Sequence, residues 1–388
     1  MKNLLFLVLV LLFCLSCNQK PANPFWHGGN ESLEITDLFF SERFPNVAVT
    51  TSGTVLAVWG GISEHYGTGA LLVRRSEDGG ETWLPEIVVA REIQWSGGGT
   101  IVDENSGDIL VFAETGPLTP EYPSGTLTVF RSSDDGVTWN EQEVTIHPDE
   151  SGNIPSMHMN ERGITLKHGS DAGRLIRASR FYGESNQQQH WSDHYTNAIY
   201  SDDGGYTWHT SKPFPAYGTG EAAIEELSDG SLYYNSRRHL STDGLNPRMR
   251  HIAWSYDGGE TWENLSVSDV LPDGSQHSDY GLMAGLVRLP VDGYDILIFS
   301  NIESNDGRHS GTIWASFDGG QTWPMKRLIE EGGFAYSSLA AGREGTPSEG
   351  WIYLLYEDAG HPNSTGKLAR FNLDWITGGS ALPSTPAR

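Results

Sequence analysis

Cysteine is nearly absent from this 388-residue chain, whose two cysteines, Cys14 and Cys17, both lie close to the amino terminus. The rest of the chain therefore has no disulfide and depends on core packing. Basic residues are also scarce, with 25 Lys and Arg against 50 Asp and Glu and a formal net charge of −25. Phosphate binding needs a basic surface stripe, and because the sequence offers none, nucleic acid is excluded as a general partner.

Long apolar runs and helix-period patterns are scarce as well. The one long apolar run follows Lys2 and ends at Leu15, which is too short to span a bilayer comfortably. A basic start, an apolar stretch and small Ser16 before Cys17 are typical of an export signal, and Ser16-Cys17 resembles the lipobox of bacterial lipoproteins. We expect residues 1–17 to be a lipoprotein signal peptide and Cys17 to be the lipid-attachment site. The protein would then touch a bacterial membrane through its lipid anchor only; a cleaved secretory signal is the alternative.

The chain is rich in glycine, with 46 residues, and in tryptophan, with 13, and it carries five near-copies of one octapeptide. The copies are SEDGGETW (76–83), SSDDGVTW (132–139), SDDGGYTW (201–208), SYDGGETW (255–262) and SFDGGQTW (316–323). In each copy the Asp can accept hydrogen bonds from turn amides, Gly allows positive φ, and Thr and Trp lock the turn. We therefore interpret the copies as structural turns. They lack the spaced acceptors and the closing Glu of an EF-hand, so no metal site is predicted.

The spacing of the copies predicts a β-propeller. Their starts lie 56, 69, 54 and 61 residues apart, and a period near 60 suits a blade of four antiparallel strands. An apolar, strand-like stretch such as TLTVFRS (126–132) precedes most copies. The residues outside the copies leave room for one more blade, closed by both chain ends. We predict an all-β fold, a six-bladed β-propeller over 35–376, with a linker at 18–34 and a tail at 377–388.

The octapeptides resemble the Asp-box, or BNR, repeats of the sialidase superfamily, and non-repeated segments strengthen the resemblance. SERFPNVAVTTSGTVLAVWGG (41–61) is similar to the family's R-I-P start. GTGEAAIEELSDGSLYYNSRR (218–238) is similar to its Glu segment and the N-[AS]-R strand that follows. FSNIESNDGRHSGTIWASFDGG (299–320) resembles the stretch in which an arginine precedes the last Asp-box strand. GGFAYSSLAAG (332–342) and WIYLLYED (351–358) resemble the A-Y-S segment and a strand that ends in glutamate.

The resemblance implies a site that holds an acidic sugar by its carboxylate and cleaves its glycosidic bond. The implied mechanism retains configuration through a tyrosyl-linked intermediate and requires no cofactor or metal. The implied site residues are Arg43, Arg237 and Arg308 as carboxylate-binding residues, Glu357 as the orienter of Arg43, Tyr336 as nucleophile and Glu221 as general base.

The chemistry of these residue types fits such a substrate. A sialic acid carries a carboxylate on its anomeric carbon, and guanidiniums offer planar, bidentate donors that hold it in one orientation. Like charges a few ångströms apart repel by about 1 to 4 kcal/mol per pair, so three grouped arginines indicate an anion site rather than a core. The same carboxylate would repel an attacking Asp or Glu, whereas a phenol starts neutral. Because a phenol titrates near pH 10, Tyr336 needs a base such as Glu221 beside it.

The sequence departs from the family between its first strand and the first Asp box. Gly61 stands about where the family has a further arginine, and Glu64 and His65 occupy the region of its acid/base aspartate. A general acid must protonate the leaving oxygen and later activate water, and Glu64 and His65 are both suited to this, with His65 preferred. Other sources of the acid are His158 and Asp193.

These patterns favour an exported exo-α-sialidase-like glycoside hydrolase that releases terminal sialic (nonulosonic) acid from glycans outside the cytoplasm. Because the departures after Gly61 alter the expected pocket, a glycosidase or lyase for another acidic sugar, such as Kdn, Kdo or a uronic acid, is one alternative. A glycan-binding propeller that kept its arginines but lost its acid is another. In each case the expected partners are sialylated or other acidic glycans.

Overall fold

The structure, a computed structural model, describes most of the chain beyond residue 25. The described parts are residues 26, 29–40, 43–61, 69–115, 126–156, 160–185, 187–273, 281–358 and 365–383, with the backbone alone at 61 and 94–97. Cys17, the predicted lipid-attachment site, lies outside the described residues. Within them, no helix combines the length and the apolar character that crossing a membrane requires.

The described strands form six sheets, which we number as blades 1 to 6 in chain order. The first strand, β1 (Leu33–Phe39), precedes blade 1 and pairs elsewhere. Blade 1 contains β2 (Asn46–Val49), β3 (Val55–Gly61), β4 (Ala70–Ser76) and β5 (Ile87–Arg91). Blade 2 contains β6 (Ile93–Val102), β7 (Ile109–Thr115), β8 (Thr126–Ser132) and β9 (Asn140–Gln142). Blade 3 contains β10 (Thr145–Ile146), β11 (Ile164–Thr165), β12 (Leu175–Phe181), β13 (Tyr195–Ser201) and β14 (Thr207–Thr210).

The second half of the chain repeats this arrangement. Blade 4 contains β15 (Thr219–Glu226), β16 (Leu232–Arg238), β17 (Met249–Ser255) and β18 (Glu263–Pro272). Blade 5 contains β19 (Gly285–Leu289), β20 (Ile296–Ile302), β21 (His309–Ser316) and β22 (Met325–Gly333). Blade 6 contains β23 (Ser337–Ala341), β24 (Ile352–Glu357) and β25 (Gly366–Phe371), and the short helix α1 (Leu373–Thr377) follows it. The predicted six-bladed β-propeller is confirmed.

Both ends of the described chain meet in blade 6. Strand β1 pairs antiparallel with β25, so that Leu33 lies opposite Phe371 and Ile35 opposite Ala369. At the axis, β2 contacts both β6 and β23, which places blade 1 between blades 2 and 6. The ring is therefore closed by hydrogen bonds between its first and last strands, as the lengths outside the octapeptides predict.

Each octapeptide begins at the last residue of one strand and leads into the next strand of the same blade, as from β13 to β14 in blade 3. In the copy at 201–208, the Ser201 hydroxyl and the Thr207 amide both donate to Asp203 Oδ1 at 2.8 Å. The Trp208 indole donates to the Gly205 carbonyl at 3.0 Å, and Gly205 has φ +88°. These contacts join residues at most four positions apart, so the turn is a local structure that the octapeptide encodes by itself.

Contacts between neighbouring blades hold the ring together. Arg75 of blade 1 donates to the Asp135 carboxylate at 3.2 Å and to its carbonyl at 2.7 Å, across to the octapeptide of blade 2. Apolar layers lie between the sheets; Tyr233 of blade 4, for example, packs with Leu286 and Trp314 of blade 5. Full burial of a large apolar side chain stabilises a fold by about 1.5–3 kcal/mol, so these layers supply most of the cohesion.

A short segment at the propeller axis ties several innermost strands together. The Asn160 side chain accepts a hydrogen bond from the Ala222 amide at 3.0 Å, in β15. The buried Glu161 carboxyl group accepts from the Ser338 hydroxyl at 2.5 Å and from the Leu339 amide at 3.1 Å, in β23. Burial raises the pKa of Glu161 to about 7, although these hydrogen bonds oppose the effect. Two of the predicted site residues lie at the amino-terminal ends of these strands, Glu221 in β15 and Tyr336 just before β23.

At the opposite, carboxyl-terminal ends of the innermost strands lies a cavity of about 390 Å³. Its lining includes Arg162, paired with Glu225, and Arg343, which donates to Glu104 at 2.6 and 2.8 Å. Within each of these ion pairs, the carboxylate balances the charge of the guanidinium. The two mouths of the propeller therefore differ, because the other mouth holds an excess of arginine.

Candidate active site

Six side chains that the sequence pattern singled out converge at the amino-terminal mouth of the propeller. They come from four blades, and each lies at or beside the end of a strand, where side chains of neighbouring blades approach one another. The six are Arg43 just before β2, Glu221 in β15, Arg237 in β16, Arg308 just before β21, Tyr336 just before β23 and Glu357 at the end of β24.

Tyr336 lies at the centre of this group. Its phenol hydroxyl is 3.4 Å from Glu221 Oε1. The guanidinium carbons of Arg43 and Arg308 lie 5.2 and 5.1 Å from the centre of its ring, within the range of a cation–π contact. Arg237 is also a neighbour of Tyr336: burial opposes the charge on its guanidinium, but Glu221 and then Tyr336 outweigh burial and raise its pKa. Three positive groups thus surround one phenol.

Backbone hydrogen bonds fix the segment around Tyr336. The Phe334 amide donates to the Arg308 carbonyl at 3.0 Å, and the Ala335 amide donates to the Glu357 carbonyl at 2.8 Å. The Glu357 amide donates in turn to the Tyr336 carbonyl at 3.0 Å. The phenol is therefore held on a rigid backbone between two other site residues, which is the support that a precise site requires.

Arg43 and Glu357 form a bidentate ion pair. Arg43 Nε and Nη2 lie 3.3 and 3.1 Å from the two carboxylate oxygens, and Glu357 is fully buried. The Phe44 amide also donates to Glu357 at 2.9 Å, and Phe44 has φ 70°, a conformation that is uncommon outside glycine. Burial opposes the charge on Arg43, but Glu357 and Tyr336 outweigh it and raise the pKa of the guanidinium. The arrangement presents a charged, oriented Arg43 to the mouth.

Glu221 is the buried anion of the site, with 2% of its surface exposed. Arg237 Nη1 and His239 Nε2 each lie 3.1 Å from its Oε2, and Arg180 Nη1 lies 3.7 Å from its Oε1. Burial would raise the pKa of the Glu221 carboxyl, but Arg237, His239 and Arg180 hold it well below its usual range. Because Glu221 lies within a bulge of β15, its side chain is aimed at the mouth rather than across the sheet.

The local charge of the cluster is opposite to that of the whole chain. Within the described part of the chain, four guanidiniums of this cluster face two carboxylates, an excess of two positive charges in a protein of net charge −25. The buried Nε of Arg308 has no hydrogen-bond partner within the described part of the chain. Unsatisfied donors and excess positive charge, here at the amino-terminal mouth of the propeller, are features of an anion-binding site.

Sequence reasoning missed two residues of the cluster, Arg180 and His239. Arg180 is 1% exposed, packs its guanidinium 4.1 Å from the Tyr182 ring and, among the described residues, has no hydrogen-bond partner at Nε or Nη2. No motif in the sequence marks Arg180. His239 was detectable, because side chains alternate along a strand and His239, which directly follows the end of β16, comes two positions after Arg237. Both lie against Glu221, so the carboxylate has more partners than the motif predicted.

The predicted acid/base residues are not brought into this group by the described part of the structure. Glu64 and His65 lie outside the described residues, as does the alternative His158. Asp193 ends a short 3-10 helix (Gln188–Asp193) and is exposed, with Ser192 as its hydrogen-bond donor. The described residues contain no group of three or more His, Cys, Asp or Glu side chains that could hold a metal ion.

Comparison with known proteins agrees with the fold and the repeats. A family model described as a BNR repeat-like domain matches residues 53–347. The chain is 32% identical over 374 residues to a sialidase of Micromonospora viridifaciens, covering 89% of this chain and 54% of the relative. It is 27% identical over 359 residues to a sialidase of Bacteroides fragilis, covering 82% and 60%. The chain thus spans a little over half the length of these relatives.

A solved structure gives the same answer. The Hadza microbial sialidase Hz136 superimposes with a TM-score of 0.68 at 28% identity, over 86% of this chain and 66% of that one. Repeats, sheet topology and relatives all agree, and the chain belongs to the sialidase/BNR-repeat superfamily.

Proposed function

We propose that the protein is an exo-α-sialidase-like glycoside hydrolase that releases a terminal sialic (nonulosonic) acid from glycans. One observation carries the proposal: Arg43, Arg237 and Arg308 surround the phenol of Tyr336, whose hydroxyl lies 3.4 Å from the buried carboxylate of Glu221. The sialidase names of the relatives support the same substrate class.

The arginines select the substrate. A sialic acid carries its carboxylate on the anomeric carbon. When the guanidiniums bind this carboxylate, the anomeric carbon is therefore brought close to the Tyr336 phenol that they surround. Charge-assisted, bidentate bonds fix orientation as well as position, and a sugar that lacks the carboxylate leaves the positive charges unpaired. The site is therefore expected to reject neutral hexosides.

Tyr336 is the nucleophile. Its oxygen bonds to the anomeric carbon, the phenolic proton passes to Glu221 Oε1, and the glycosidic oxygen leaves with a proton from the general acid. In the free protein the positive neighbours hold the pKa of Glu221 well below its usual range. A substrate carboxylate bound to Arg237 offsets part of this positive charge, so Glu221 becomes a better base when substrate is present.

Water completes the reaction. The residue that acted as the general acid, His65 or Glu64, takes a proton from water, whose oxygen bonds to the anomeric carbon. The tyrosyl oxygen then leaves and recovers its proton from Glu221. Two displacements at one carbon retain its configuration. Outside the cytoplasm, a lipid at Cys17 would hold this activity at a membrane surface, within reach of sialylated glycans.

Activity toward activated aryl glycosides tests the proposal, because such substrates need little help from a general acid. Wild-type protein is expected to hydrolyse an aryl α-sialoside with retention, visible by proton NMR as the α anomer of the sugar forming first. The Tyr336→Phe variant is expected to lose at least about a thousandfold in kcat, because the attacking oxygen is absent. Tyr353→Phe is the matched control, since this buried phenol donates to the Gly79 carbonyl, away from the site.

Parallel assays with aryl Kdn, Kdo and uronic acid glycosides separate the alternatives. Turnover of one of these and not of the sialoside would assign another acidic sugar to the site, in keeping with the altered segment after Gly61. Tight binding of free sialic acid without turnover of any aryl substrate would instead indicate a glycan-binding propeller. Equal activity of Tyr336→Phe and wild type would overturn the proposed mechanism.

A further inference from the structure

The two oxygens of the Glu221 carboxylate have different partners. Oε1 faces the Tyr336 hydroxyl at 3.4 Å and Arg180 Nη1 at 3.7 Å. Oε2 faces Arg237 Nη1 and His239 Nε2, each at 3.1 Å. The carboxylate is thus oriented, with Oε1 directed at the phenol and Oε2 bound by Arg237 and His239.

Among the three nitrogen partners of Glu221 named here, Arg180, Arg237 and His239, the histidine is the neutral one. Its ring is buried, and burial, aided by Arg237, lowers the pKa of the imidazole to about 3, so that the ring carries no charge near neutral pH. Because a carboxylate can only accept, the Nε2 that faces Glu221 must carry the ring's proton. Within the described part of the chain, Nδ1 has no hydrogen-bond partner. His239 therefore gives Glu221 one hydrogen bond without adding positive charge.

The backbone beside Glu221 is shaped to admit this ring. A Cβ atom on Gly220 would lie 2.1 Å from His239 Nε2 and 2.3 Å from its Cδ2, far inside van der Waals contact. Gly220 has an ordinary φ, so the reason for a glycine here is space rather than conformation. The ring also packs against Trp191, with ring centres 5.1 Å apart. The imidazole is therefore packed against both Gly220 and Trp191, in contact with Glu221.

We propose that His239 is a positioning residue, which holds Oε2 of Glu221 so that Oε1 faces Tyr336, and that Gly220 is the residue that makes room for it. The inference rests on the proposed function, since it assigns a role within the same reaction. It concerns two residues outside the set that the sequence pattern assigned to the site.

Glu221 needs a second hydrogen-bond donor besides Arg237, because the substrate carboxylate competes with Glu221 for Arg237. Arg237 is assigned to the substrate carboxylate, so its bond to Glu221 is shared once substrate is bound. Among the described residues, the His239 ring has no hydrogen-bond partner other than Glu221, so substrate does not draw it away from this contact. A third cation in its place would lower the proton affinity of Glu221 further and make it a worse base, whereas a neutral donor positions the carboxylate without that penalty.

The test compares variants of the full chain on an aryl α-sialoside. His239→Ala removes the donor, so kcat is expected to fall roughly ten- to hundredfold, the range for one hydrogen bond to a charged group, while KM stays roughly constant. His239→Gln keeps an N–H at the same distance along the side chain and is expected to recover much of the loss. His251→Ala is the matched control, because this buried histidine of the same blade bonds to Arg238 and Met249 rather than to Glu221.

Gly220→Ala tests the space argument. Its methyl group must displace the His239 ring, so it is expected to reproduce the kinetic defect of His239→Ala. In the double variant the methyl group enters the volume that the imidazole has left. The two effects are therefore expected to be non-additive, with the double variant no slower than His239→Ala alone. Additive losses would mean that the two residues act separately, which contradicts the proposal.

The pH profile supplies a readout that loss of packing alone would not move. Among the described residues, Arg237, Arg180, His239 and Tyr336 face the Glu221 carboxylate directly, and Arg250 and Tyr182 also interact with its charge. Removing the His239 donor is expected to raise the pKa of Glu221 and shift the acidic limb of kcat/KM to higher pH. Unchanged kcat and an unchanged limb in His239→Ala, beside an active wild type, would overturn this inference alone. An inactive wild type would overturn the proposed function itself.

Discussion

Glu161 connects the propeller axis to the site, because its buried carboxyl group accepts hydrogen bonds from β23, the strand that follows Tyr336. Changing Glu161 therefore tests how the axis supports the site. The Ser338 hydroxyl and the Leu339 amide donate to it, and burial raises its pKa from 4.5 to about 7. The folded state thus binds this proton more tightly than the unfolded chain does. The linked stabilisation is fully present below pH 4.5 and is lost as the pH rises through about 7.

The size of the effect follows from the two pKa values. A gap from 4.5 to about 7, at about 1.4 kcal/mol per unit, corresponds to about 3 kcal/mol. Glu161→Gln removes the titration and keeps a polar group of the same size. The free energy of unfolding of the variant, relative to wild type, is therefore expected to rise by about 3 kcal/mol between pH 4.5 and pH 8.

Urea unfolding followed by tryptophan fluorescence at several pH values measures this difference. Groups other than Glu161 titrate in both proteins, so subtracting one curve from the other removes their contribution. Glu331→Gln, which changes an exposed glutamate, is the control and is expected to show no such trend. A difference between Glu161→Gln and wild type that is the same at every pH would refute the reasoning, since it would mean that Glu161 does not titrate differently on folding.

Three further predictions concern the site and the repeats. Arg308→Met is expected to lower kcat/KM for an aryl sialoside about ten- to hundredfold, because one guanidinium that binds the substrate carboxylate is lost. Binding of free sialic acid, measured by calorimetry, should weaken as well. Equal binding by the variant and wild type would contradict the assignment of Arg308 as a carboxylate-binding residue. Glu357→Gln leaves Arg43 without its anionic partner, so KM in steady-state assays should rise and the melting temperature should fall. An unchanged KM would contradict the prediction that Glu357 orients Arg43. Asp203→Ala deletes the acceptor of the Thr207 amide and should cost about 1 kcal/mol in urea unfolding with no change in KM; a changed KM would link the repeat to the site.

Some of the site residues could be predicted from the sequence, and others could not. Tyr336 and Glu221 stand in segments whose order along the chain resembles a known family, so their roles could be proposed before any coordinates. His239 could have been inferred from strand alternation after Arg237, but nothing in the sequence says that its ring faces a carboxylate. Arg180 carries no motif at all, and the contact with Glu221 that defines it joins residues of two different blades.

Local and distant interactions explain the division between what sequence and structure reveal. The octapeptide turns close through hydrogen bonds within a few residues, so their sequence alone determined their shape, and their spacing determined the number of blades. The meeting of Arg43 with Glu357, and of Glu221 with Tyr336, joins residues more than a hundred positions apart. Only ring closure, blade packing and the bulge in β15 decided those contacts, because tertiary packing, and no local preference, brings distant charges together.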